Sequence, residues 1–290
     1  MQNVSVLISD NATLGEGPLW DERKSRLYWV DIKQCRLNWL DWGAGDTGRI
    51  ELAEEISAIA LAGEERLLCA RRSGLYLLDM TSGEFEFVTA IEPDTPGNRP
   101  NDGGVDPLGR FWIGTMDDAE KNVSGALHCW DGHNLRVLLE GVGVANGVGW
   151  SRDGKTMYFT DSRSRTISTL RFDTASGEIS DRQTLVVVPD GLGFPDGLSV
   201  DSEDHIWSVH WDGGRITRYA PDGSVERAID LPVTRPTACT FAGPRLDHLV
   251  VTSARIGLTA QQLAQQPHAG SVLCLKPGVT GVASRRATIF

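Results

Sequence analysis

The sequence predicts an all-β fold, a six-bladed β-propeller, from the period of its apolar runs, the turns around them and a polar position in register. A short apolar run, often aromatic, recurs as Leu27-Tyr28-Trp29-Val30, Leu67-Leu68-Cys69, Phe111-Trp112-Ile113, Met157-Tyr158-Phe159, Ile206-Trp207-Ser208-Val209 and Leu249-Val250-Val251. Counted from the first residue of each, the intervals are 40, 44, 46, 49 and 43, a spacing typical of one supersecondary unit repeated. Turn residues precede the runs, as in Pro107-Leu108-Gly109 and Arg152-Asp153-Gly154, and read as tight hairpins. Six meanders of this length suit a propeller, whose radial repetition leaves few sheet edges exposed.

Taken in order, Val4 to Ile8 is expected to pair into the last blade and close the ring. A strand follows each run: Arg36 to Leu40, Gly74 to Leu78, Gly125 to Trp130, Thr166 to Phe172, Arg215 to Tyr219 and Gly270 to Leu275. A further turn comes after several of them, such as Thr81-Ser82-Gly83-Glu84 and Pro221-Asp222-Gly223, so each unit is a meander of about four strands. Leu258 to Gln266, rich in Ala, Gln and Leu, is the one stretch expected to be helical, as an insertion in the sixth repeat. No linker interrupts the pattern, and one domain is expected over 1–290. A chain of this size buries roughly 75% of its unfolded surface and needs no disulfide or metal for its core.

Composition narrows the function classes. A net charge of −11 without a basic cluster argues against a nucleic-acid partner. Met1 to Asp10 carries no basic, apolar leader, and no segment reaches the roughly 18 apolar residues of a spanning helix. A cytoplasmic protein with no membrane partner is expected, and the sequence leaves its oligomeric state open. Cys35, Cys69, Cys129, Cys239 and Cys274 are odd in number and show no CxxC pair, which suits buried small hydrophobes in a reducing compartment. The sequons at Asn3, Asn11 and Asn122 carry no meaning without a secretory leader.

The repeat register points to the chemistry. Before the runs, at distances of 11, 10, 10, 11, 10 and 12 residues, stand Glu16, Ser57, Asn101, Asn146, Asp196 and Thr237, all polar. That is the phase of the innermost strand of a blade, which lines the central channel, so these side chains should form a ring at one depth. Glycine adjoins several of them, as in Gly15-Glu16-Gly17-Pro18, Ala145-Asn146-Gly147 and Pro195-Asp196-Gly197, and lets backbone or ligand approach closely. Glu16, Asn146 and Asp196 offer two carboxylates and an amide oxygen. Hard oxygen donors suit Ca²⁺, Mg²⁺ or Mn²⁺ better than a thiolate metal, though carboxylates also hold Zn²⁺. Arg99, two residues before Asn101, shares its strand face and suits an anionic or oxygen-rich substrate, or caps the channel structurally. Arg235 stands in the same relation to Thr237.

Other motifs are set aside. Gly149 to Thr156 matches the phosphate-loop pattern, but the strand-like Met157-Tyr158-Phe159 follows where a helix must open. No GxSxG elbow or HExxH is present, and the six histidines lack metal-ligand spacing. His205 and His210 flank a strand as surface or core residues. The tryptophans read as blade packing before any sugar-stacking role.

The set Leu14-Gly15-Glu16-Gly17-Pro18-Leu19-Trp20, Arg99-Pro100-Asn101-Asp102-Gly103, Asp106 through Met116, Asn146-Gly147 and Phe194-Pro195-Asp196-Gly197 resembles the regucalcin, gluconolactonase and luciferin-regenerating enzyme family. Within that family the chain looks most like bacterial sugar lactonases of pentose and related aldose oxidation. The resemblance implies one divalent cation (Ca, Mg, Mn, Zn or Fe) held by Glu16, Asn146 and Asp196. It also implies substrate contacts from Arg99 and Asn101 and a general-base role for Asp196. Animal members carry a substrate-touching glutamate three residues after Gly-Thr-Met, where this chain has Ala119; Glu120 is the candidate to replace it through a shifted loop. The expected reaction is hydrolysis of a sugar lactone to the aldonic acid. A non-enzymatic calcium-binding regulator and a hydrolase of another lactone or ester are the competing readings.

Overall fold

The computed structural model describes residues 4–289; residues 1–3 and 290, with Asn3 of the first sequon and the outer limits of the expected 1–290 unit, lie outside the described residues. Blade 1 is the antiparallel meander Gly15–Asp21, Arg26–Asp31, Arg36–Asp41 and Thr47–Glu51. Its burial falls outward, from the wholly buried core of Arg26–Asp31 to an outermost strand alternately exposed, because only that strand presents an edge to water. Blades 2 to 5 repeat the pattern from inner strands Ile56–Ala62, Asn98–Val105, Ala145–Trp150 and Phe194–Val200. Blade 6 begins with Pro236–Ala242, His248–Ser253 and Val272–Leu275 and takes its fourth strand, Ser5–Ile8, from the other end of the chain. The expected closure is therefore observed, with Ser5 opposite Cys274.

The six apolar runs lie in the second strands, and the strands expected after them match the third strands within one or two residues. Neighbouring inner strands touch in cyclic order around the channel. Among the described residues the core divides into six hydrophobic clusters, one between each adjacent pair of blades. A propeller core is thus six wedges of aromatic and branched side chains around a channel that stays polar.

The expected helix is shorter, Ala260–Gln265, with Thr259 as N-cap and Gln262 completing a capping box. It buries no residue, so only its cap and propensity shape it. Gly149 to Thr156 forms the hairpin between Ala145–Trp150 and Thr156–Asp161. Cys69, Cys129, Cys239 and Cys274 are buried thiols, but Cys35 is only half-buried, in a left-handed turn at φ 51°. Among the described residues no helix is long and apolar enough to cross a membrane.

One element has no counterpart in the repeat. After blade 6 the chain crosses the face opposite the site, and Arg286–Ala287 pairs in parallel with the inner strand of blade 2. On the way Ser202 N–H bonds to Thr280 O and Gly281 N–H to Leu246 O, and Arg286 reaches the buried Asp21 at 2.6 Å. Residues 282–285 close a lower cavity of about 190 Å³ below the ring.

Candidate active site

Every inner strand breaks register where the polar ring position falls: at Glu16/Leu19, Ile56/Ala58, Pro100/Gly103, Asn146/Val148, Pro195/Leu198 and Pro236/Cys239. A bulge re-aims a side chain that a regular pleat would send into the sheet stack. Local sequence favours it, since Pro18, Pro100, Pro195 and Pro236 bring no amide donor to a ladder. All six ring residues are buried.

The ring is not uniform. Thr237 Oγ1 donates to Gly15 O at 2.5 Å and joins blade 6 to blade 1 rather than offering an open donor. Glu16, Asn101, Asn146 and Asp196 border an upper cavity of about 530 Å³, and Ser57 does not. Two of those four, Asn101 and Asn146, are linked in one chain of hydrogen bonds. Arg99 Nη1 donates to Asn101 Oδ1 at 2.8 Å, and Asn101 Nδ2 donates to Asn146 Oδ1 at 2.9 Å. Asn146 Nδ2 donates to Ser162 Oγ at 2.8 Å, and Ser162 passes its own proton to Pro195 O at 2.6 Å. With its hydrogen committed there, Ser162 can only accept, which fixes the Asn146 amide with its oxygen toward the ring.

The glycines serve the backbone half of the expectation. A Cβ on Gly147 would stand 2.9 Å from Asp196 O, and one on Gly197 would stand 2.6 Å from Ala238 Cα. They admit the next blade's inner strand, not a ligand.

The carboxylates are held where charge is costly. Burial, then the charge of Asp102, pushes Glu16 up to about 8, against a hydrogen bond from Gly17 N–H and the nearby Arg99. Asp196 is raised well above the usual range by burial, then by Glu16 and Asp102. Its Oδ1 is buried and has no hydrogen-bond partner. Asp102 points to the lower cavity, raised to about 6 by burial against a bond from Gly103 N–H.

Glu16, Asn146 and Asp196 therefore fit a divalent cation. An orphaned buried carboxylate oxygen, a second desolvated carboxylate and an oriented amide oxygen form an all-oxygen set of the kind hard cations take. Among the described residues no three His, Cys, Asp or Glu side chains gather as ligands, so the amide is needed to complete the set.

At the mouth, Arg99 Nε donates to Asp118 Oδ1 at 2.8 Å. Burial raises Asp118, but hydrogen bonds from Arg72 and Arg99 outweigh it and bring the carboxyl down to about 2. Glu120, the expected replacement, stands exposed on the rim in a left-handed turn at φ 54°. Its carbonyl takes a bond from Arg163 at 2.7 Å, and its side chain keeps a place on the cavity lining while Asp118 holds Arg99. Arg235 also borders the cavity, bound to Asp212 at 2.6 Å. Asp118, Ser162 and the mouth residues Arg163 and Trp211 were not singled out from sequence. Asp118 and Arg163 lie on loops leaving the second strands, where the inner-strand register gives no signal. His210 is buried, 2.8 Å from Leu192 O and stacked on Tyr219.

Residues 14–255 match the family model described as the SMP-30/Gluconolactonase/LRE-like region. The chain is 35% identical to a 6-deoxy-6-sulfogluconolactonase of Pseudomonas putida over 97% of each chain. It is 36% identical to a pentonolactonase of Haloferax volcanii over 87% of this chain and 85% of that one. The crystal structure of a calcium-binding protein, regucalcin, from Agrobacterium tumefaciens superposes with a TM-score of 0.94 at 28% identity, covering 100% of this chain and 98% of the other.

Proposed function

The chain belongs to the SMP-30/gluconolactonase/LRE-like family, and from that premise we propose that it hydrolyses a sugar lactone to the open aldonic acid. We further assign it one divalent cation and a pentose or related aldose as the parent sugar. The observation that carries this reading is the orphaned Oδ1 of Asp196, buried beside Glu16 at the floor of a cavity of about 530 Å³, a size suited to a monosaccharide.

Glu16, Asn146 and one oxygen of Asp196 would hold the cation. When bound, it supplies Lewis-acid polarisation of the lactone carbonyl and stabilises the developing oxyanion. The other Asp196 oxygen accepts a proton from the attacking water as the new C–O bond forms. As the ring C–O bond breaks, the same carboxyl returns the proton to the leaving alkoxide. Asn101 and Arg99 hold sugar hydroxyls, and Asp118 fixes the guanidinium, so the carbonyl is oriented before reaction. Relatives that carry the name regucalcin favour a second reading, a calcium-binding protein without turnover.

Acid release from a panel of aldonolactones separates the two. We expect chelator-stripped protein to be inactive and turnover to return with one or more of Ca²⁺, Mg²⁺, Mn²⁺, Zn²⁺ and Fe²⁺. Asp196→Ala should lose turnover by at least about a hundredfold, whereas Asn101→Ala should mainly raise KM. Full turnover by purified Asp196→Ala would remove the base assignment; cation binding with no turnover on any lactone would favour the regulator.

A further inference from the structure

Above the ring lies a second layer. Two residues before each ring position stand Leu14, Glu55, Arg99, Val144, Phe194 and Arg235, and all but Glu55 border the upper cavity. The layer is divided by chemistry. Arg99, with Lys33 and Asp118 beside it, makes one side of the cavity a set of hydrogen-bonding groups. On the blade-5 side stands Phe194, directly paired across strands with Trp211, which also borders the cavity.

Packing does not account for Phe194. It is 37% exposed, and it joins none of the six hydrophobic clusters found among the described residues. An arginine covers each ring: Arg165 Cζ lies 4.4 Å from the Phe194 centroid and Arg235 Cζ 4.8 Å from that of Trp211. Both arginines are themselves anchored. Arg165 Nη2 donates to Pro189 O and Gly193 O, each at 2.8 Å, and Arg235 Nε to Asp212. Two rings are thus held in place beside a polar floor, each with surface left toward the cavity.

We propose that Phe194 and Trp211 form an aromatic wall that takes the C–H face of the lactone ring, while the Arg99 side takes its hydroxyls. A six-membered sugar lactone with mostly equatorial hydroxyls is two-sided in this way, with C–H bonds on its faces and hydroxyls around its rim. A rigid aromatic surface gains from such contact at little cost in side-chain freedom. The wall adds binding to the ring as it lies over Asp196, two residues along the same strand from Phe194.

This rests on the lactonase reading, and its test keeps the two apart. Kinetics on the best lactone of the panel are read beside calorimetric binding of the corresponding sugar lactam, which cannot open. For Phe194→Ala and Trp211→Ala we expect KM and the lactam Kd to rise roughly tenfold each, with kcat within about threefold and the melting temperature near wild type. Trp211→Phe should recover most of the affinity. Should Trp211→Ala not fold, Phe194→Ala, at an exposed ring, carries the test alone. Unchanged KM and lactam Kd in a folded Phe194→Ala protein would overturn the wall. Absence of turnover in the wild type would overturn the lactonase reading instead, and a lactam Kd still weakened by Phe194→Ala would support the wall even then.

Discussion

Asp196 and Glu16 share one physical predicament, a negative charge kept from water with too few donors around it. In Glu16 the consequence for stability has a definite sign. Its ordinary value is 4.5 and burial lifts it to about 8 in the fold, so between those values the folded chain binds a proton that the unfolded chain has released. The contribution of Glu16 to the stability of the metal-free protein should therefore be full below pH 4.5 and decline as pH rises toward 8, by an amount on the order of a few kcal/mol. Urea titrations of chelator-stripped protein at pH 5 and pH 8 measure this. Glu16→Gln should flatten the decline, and an added divalent cation should reverse it, since a ligand for the folded state stabilises by mass action. Equal stability at the two pH values would show that Glu16 is solvated after all.

The inner strand is the element that turns sequence into a site. Its bulge aims the ring residue inward, and the glycine after it lets the next blade close up. Among the glycines that directly follow a ring residue Gly197 is the tightest case, because an added Cβ would stand 2.6 Å from both Cα and Cβ of Ala238, and backbone cannot give way as a flexible side chain does. Gly197→Ala should cost about 1–3 kcal/mol and lower kcat by displacing Asp196, read as a lower melting temperature together with slower turnover. A different device holds the far ends of two blades. Asp106 accepts from Trp112 Nε1 and Arg110, and Asp201 accepts from Trp207 Nε1 and Arg218, each aspartate six residues before its tryptophan, at 3.1 Å and 2.9 Å to the indoles. Both aspartates are fully buried, so these turns are anchored by charge-assisted bonds inside the wedge.

At the scale of the whole molecule the ring is fastened twice. Ser5–Ile8 completes blade 6, and the closing segment crosses the lower face to pair with blade 2. That segment also supplies Arg286 to Asp21, a carboxylate 1% exposed. Removing residues from 281 onward should leave Asp21 without its guanidinium, a loss of about 3–5 kcal/mol. The expected drop in melting temperature is on the order of 10 °C, accompanied by an opened lower cavity. Differential scanning calorimetry of the shortened chain checks it, and an unchanged melting temperature would mean that the crossing segment holds nothing together.

Periodicity made the six blades, their strand order and the ring phase legible, because each blade repeats the same local demand for turn, apolar run and polar inner strand. The motifs around Glu16, Asn101, Asn146 and Asp196 were legible for the same reason. What the linear pattern could not carry is which side chains meet once strands pair and blades pack. Thr237 has the ring's phase but bonds Gly15; Asp118 holds Arg99; Ser162 fixes Asn146; and Trp211 packs as expected but also borders the cavity. The Thr237 bond depends on how six wedges close around one axis, and the others on how loops and second strands fold back over their own blade's inner strand, and so only the tertiary structure decides them.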